Sequence, residues 1–154
     1  MFDILIFLFE SYFHAGRYPN SDKLSRKLSA AGFEDEDITR ALTWLSGLEQ
    51  LNKANYPSAI NESSGRFYAD LEIKRVSFET LRFLTFWEQN KIITPVEREM
   101  ILDRAVALNR DNLPLDQIKL IVLMVLWNQR QDLDPLIVED LLIPVIPADS
   151  SRLH

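Results

Sequence analysis

Apolar positions recur at helical spacing along this chain, and turn residues divide them into separate segments. Over residues 2–13, Leu5, Leu8, Phe9, Tyr12 and Phe13 fall three and four apart, with Ile4, Ile6 and Phe7 between them. A stripe that wide predicts a helix covered on most sides. Arg17-Tyr18-Pro19-Asn20 reads as a turn, and Ser21 as the N-cap of a second helix with Leu24, Leu28 and Ala31 on one face. Gly32 then stands where a helix end enters the left-handed region, and Phe33 supplies the apolar contact that follows such an end. A third helix starts within residues 34–37, where four consecutive carboxylates meet the positive end of the helix dipole. Its predicted buried stripe is Ile38, Ala41, Leu42, Leu45 and Leu48, with Trp44 at the edge.

Periodicity lapses after residue 49. Residues 50–65, with Asn52, Asn55, Pro57, Asn61 and Ser63-Ser64-Gly65, are expected to form a surface linker, and residues 66–70 a short extended segment. A long helix is predicted over residues 71–90, carrying Phe78, Leu81, Phe83, Leu84, Phe86 and Trp87. The next start signal is the sharpest in the chain: Thr94-Pro95-Val96-Glu97 offers an N-cap Thr, Pro at the first helical position and Glu at the third. The fifth helix runs on Val96, Met100, Ile101, Ala105 and Leu108. Pro114 and Asp116 open a sixth, whose residues 118–127 are apolar on nearly all sides apart from Lys119, so it is expected at the centre of the second half. Leu136, Leu141 and Leu142, between Pro135 and Pro144, mark one more short amphipathic stretch. The pattern predicts an all-α protein of about six helices in two packed clusters, residues 1–49 and 66–147, with a flexible tail at 148–154.

Composition narrows the class. A chain of 154 residues with 47% hydrophobic and 26% charged residues is globular and long enough to bury a core without staples. Cysteine is absent, which removes disulfides, thiolate metal sites and cysteine nucleophiles together and fits a cytoplasmic location. The apolar start lacks a basic leader region, and the longest other apolar run is far short of the roughly 20 residues a membrane span needs. The net charge of −6 disfavours broad contact with phosphates. Only residues 50–93 are not acidic in balance, with six basic residues against five acidic.

Ala31-Gly32-Phe33 and Ala41-Leu42-Thr43-Trp44-Leu45 form the middle of a helix–turn–helix. With Met1-Phe2-Asp3, Leu8-Phe9-Glu10, Arg66-Phe67-Tyr68, Arg98-Glu99, Ala107-Leu108, Leu123-Met124-Val125-Leu126, Asn128 and Leu153-His154, it resembles the bacterial Smg family over the full chain and in the expected order. The resemblance implies no established biochemical activity. The family's genes often lie beside one for a DNA-processing protein, and no catalytic residues carry over.

The residues themselves point away from catalysis. His14 and His154 have no ligand pattern around them, and no phosphate loop or nucleophile motif occurs. Consecutive carboxylates at a helix start point around its axis and do not converge on a cation. They would also repel phosphates where a DNA-reading helix meets the groove. No catalytic residue, metal or cofactor is expected. Arg66, Tyr68, Lys74, Arg75, Arg82, Phe83, Phe86 and Trp87 form the candidate interaction set, basic and aromatic residues that suit either a protein partner or single-stranded nucleic acid. The expected function is a non-catalytic adaptor that binds another protein. The rival is a nucleic-acid-associated factor. Arg98 opposes the dipole at the start of its helix, which predicts an ion pair with another helix.

Overall fold

The computed structural model describes residues 1–51, 74–130 and 133–142. The chain divides into two compact units, Met1–Gln50 and Leu51–His154. The described residues are helical with no strand among them, as the all-α reading requires, but the helices outnumber the six expected. The expected extended segment 66–70, most of the linker and the tail lie outside the described residues.

The first unit contains α1 (Phe2–Tyr12), a 3-10 turn (Phe13–Ala15), α2 (Ser21–Ala30) and α3 (Asp35–Gln50). Helix α1 buries one face, Ile4, Leu5, Leu8 and Phe9, while Ile6 and Phe7 are only half-covered. The wide stripe therefore overstated its coverage. Asn20, not Ser21, is the N-cap of α2: its side chain accepts from the Lys23 N–H at 3.1 Å. Either residue type can cap; the chain begins its turn one residue earlier. At the other end Gly32 takes φ +98, the Phe33 N–H bonds the Leu28 carbonyl and the Gly32 N–H that of Ser29. This is the two-bond helix end that needs a left-handed residue, and glycine adopts it without strain.

Helices α1 and α2 both pack on α3. Ile38, Ala41, Trp44, Leu45 and Leu48 are buried there, whereas Leu42 is half-exposed. The buried stripe runs through 41, 44 and 48, because α3 faces two partner helices, and this draws Trp44 inward and leaves Leu42 at the rim. Phe33 is also only half-buried, with its ring edge-on to Phe7 at 5.5 Å. Tyr18 donates to Glu49 at 3.0 Å, and burial together with that carboxylate pushes its phenol above the ordinary tyrosine range.

In the second unit, residues 74–76 are helical and Ser77 breaks the helix expected over 71–90, with φ +81 and ψ +150. Four longer helices follow: α4 (Phe78–Gln89), α5 (Pro95–Val106), α6 (Leu115–Gln129) and α7 (Pro135–Leu142). Ser77 occupies a region populated almost only by glycine, and the same residue caps α4 by accepting from the Thr80 N–H. Helix α5 packs on α4 and α6, and α7 packs on α6. Every residue from 120 to 127 of α6 is buried, so an all-round apolar sequence has become a helix enclosed by its neighbours.

Candidate functional site

Helix α4 has two faces. Leu81, Leu84, Trp87 and Glu88 are turned into the unit. On the opposite side Phe78, Arg82 and Phe86 follow one another at steps of four, which stacks them along one side of a helix. Phe78 is 61% exposed and Phe86 56%, and Arg82 is exposed between them. Large aromatic side chains are seldom left in water in pairs on one face, and such pairs characterise surfaces that meet a partner.

The structure separates the eight candidate residues. Lys74 lies 3.8 Å from Asp111, and Arg75 bonds both Asp111 and, at 2.7 Å, Asn109. These two cations hold the loop after α5. Phe83 is half-buried against Trp87, with ring centroids 4.8 Å apart and the Lys119 ammonium 5.3 Å from its own ring centre. Trp87 is buried. Arg82 and Phe86 remain on the exposed face and are joined there by Phe78, which sequence reasoning assigned to the helix but not to the site. Arg66 and Tyr68 lie outside the described residues.

Beneath α4 lies an ionic cluster that the sequence only hinted at. Arg98, 1% exposed, bonds Glu88 of α4 through Nη1 and Glu99 at 2.9 Å through Nε. Glu88 is itself 8% exposed, and its Oε2 receives no hydrogen bond from the described residues; nor does the Arg98 Nη2 give one. A buried polar atom left unpaired costs about 1–3 kcal/mol. At the start of α5 the capping box forms as its sequence predicted: the Glu97 N–H donates to Thr94 Oγ1 at 3.1 Å and the Thr94 N–H to Glu97 Oε1 at 2.9 Å. Arg130, just past α6, grips both Glu97 oxygens at 2.7 and 2.9 Å and the Ile92 carbonyl at 2.8 Å. The bond to Glu97 holds its guanidinium still more firmly protonated.

Glu88 also lines a cleft of about 530 Å³ with Gln89, Lys91, Ile93, Thr94 and Pro95. Lys91 shapes its rim. Helix α4 ends in the same two-bond cap as α2, with the Ile92 N–H on Trp87 and the Lys91 N–H on Glu88, but a lysine takes the left-handed position at φ +60. No glycine announced that turn. Two charges did carry signal: Glu88 falls seven residues after Leu81 on the apolar face, and Arg98 opposes its helix dipole. Among the described residues no group of His, Cys, Asp or Glu is placed to hold a metal ion, and no helix is long and apolar enough to cross a membrane.

A family profile described as "Protein of unknown function (DUF494)" matches residues 1–150. A "Protein Smg homolog" of Azoarcus sp. is 50% identical over 143 residues, 92% of each chain. Homologues of the same description from Nitrosomonas europaea, 43% identical over the whole of both chains, and Methylobacillus flagellatus, 41% identical over 91% of this chain and 93% of its own, are similar throughout. No solved structure matches.

Proposed function

Since the chain belongs to the DUF494 family of Smg homologues, we propose that it is a non-catalytic interaction factor that meets a partner protein through the outer face of α4. The observation that carries this reading is the exposed row Phe78, Arg82, Phe86. Two phenyl rings in water and a cation between them suit an apolar protein surface that bears a carboxylate. The rival reading, a nucleic-acid-associated factor, draws on Lys74, Arg75, Arg82 and the basic residues of α2; Lys74 and Arg75 are paired with Asp111, whereas Arg82 belongs to the exposed row itself. That pairing favours the protein partner. It also fits the net charge of −6, which opposes phosphate binding by the whole surface.

A photo-crosslinking phenylalanine analogue at position 86, expressed in the native cell, tests the proposal. One defined protein adduct is expected, lost when Arg82→Glu is added and absent from the same analogue at exposed Leu136. An adduct to a second copy of this chain would make the face a self-association surface. No specific adduct, or an equal pattern at both positions, would overturn the reading. Saturable, salt-dependent binding to single-stranded DNA or RNA that Arg82→Glu abolishes would favour the rival.

A further inference from the structure

We infer that the cleft between the end of α4 and the start of α5 is a binding site for a guanidinium or ammonium group on an apolar stem, with Glu88 as its anion. This goes beyond the docking face on α4 and does not depend on it. Glu88 is more than nine-tenths buried, lines the cleft and carries a carboxylate oxygen that no described residue satisfies. Arg98 brings one positive charge to two carboxylates, Glu88 and Glu99, so the cluster keeps a net negative charge even though the Arg98 Nη2 is unused by the described residues.

The two helix ends at the cleft are already closed. The positive end of α5 is closed by Thr94 and by Glu97, and Glu97 is in turn held by Arg130. The negative end of α4 is closed by the N–H groups of Lys91 and Ile92. What remains is the Glu88 acceptor, with Ile93 and Pro95 forming an apolar wall along which a short alkyl stem can lie. A volume of about 530 Å³ is in the range of small-ligand sites. Among the described lining residues, Lys91 at the rim is the one that opposes a cation.

Two-dimensional amide NMR of the full chain, titrated at low salt with n-butylguanidinium and n-butylammonium, tests this. Saturable shifts are expected at Glu88, Lys91, Ile93 and Thr94 with both cations and not with n-butyrate. Glu88→Gln should abolish them. Because that residue is tied to Arg98, Lys91→Gly supplies an independent arm: glycine suits φ +60, so the fold is kept, and loss of the rim charge should tighten cation binding about threefold. A blocked tripeptide with a central arginine separates the sources: tighter binding than butylguanidinium points to a partner's side chain, weaker binding to a free small amine, and either supports the site. No saturable shifts, equal shifts with butyrate, or no gain from Lys91→Gly would overturn the inference. Phe86→Ser, which removes the docking face, should leave these titrations unchanged, so the two proposals fail separately.

Discussion

The two units treat charge in opposite ways. In the first, Arg40 reaches Glu36 and Asp37 at 3.9 Å on a solvated helix surface, above a core of Leu5, Leu8, Leu28 and Leu48. In the second, Arg98 and Glu88 are paired and buried, as are Leu84, Met100 and Ile101 of the same two helices. Apolar burial alone suffices to hold three helices together. A buried ion pair contributes little that well-packed apolar side chains of the same volume would not, yet removing one partner is severe. The cluster in the second unit is therefore better explained by what it orients, α4 against α5, and by what its spare oxygen can bind.

The largest expected effect breaks that contrast at its centre. Arg98→Ala strands Glu88 in the core and should lower stability by about 3–5 kcal/mol, read by urea unfolding with Trp87 and Trp127 fluorescence as probes. Combining Glu88→Leu with Arg98→Met should recover most of the loss. A single variant as stable as the parent would show that the pair does not order the unit. In the first unit, Phe33→Ala should cost about 2 kcal/mol, the sum of partial burial and one aromatic contact. That is below the roughly 3–5 kcal/mol of a fully buried phenylalanine, and a loss of that larger size would mean that the ring is enclosed. Thr94→Ala removes one half of the capping box and should cost about 1 kcal/mol, measured as a shift in thermal midpoint. Arg40→Ala should change stability by less than about 0.5 kcal/mol, and a larger loss would erase the distinction between the units.

Much of this fold is legible in the sequence because helix signals are local. Gly32-Phe33 and Thr94-Pro95-Val96-Glu97 each define a helix end within a few residues, and both appear as their sequences predict. Terminal signals without a unique residue type are harder to read: Asn20 and Ser21 are equally good caps, and Lys91 and Ser77 take positive φ with no glycine to mark it. The proposed docking face is harder still. Periodicity places Phe83, Phe86 and Trp87 on one helix, but only the packing partners decide that Trp87 turns inward and Phe86 outward. The ionic cluster depends on pairings between residues ten and 33 positions apart, which no local pattern encodes.

The break at Ser77 has a consequence for how the second unit opens. Without a continuous helix, the carbonyls of Lys74 and Arg75 turn elsewhere, and they accept from the N–H groups of Asn112 and Leu113. Two short-range bonds are thereby exchanged for two that span 38 residues. Hydrogen exchange at the Asn112 and Leu113 amides then requires the segment ahead of α4 to part from the loop ahead of α6, so two loop amides should exchange on the slow timescale of the whole unit.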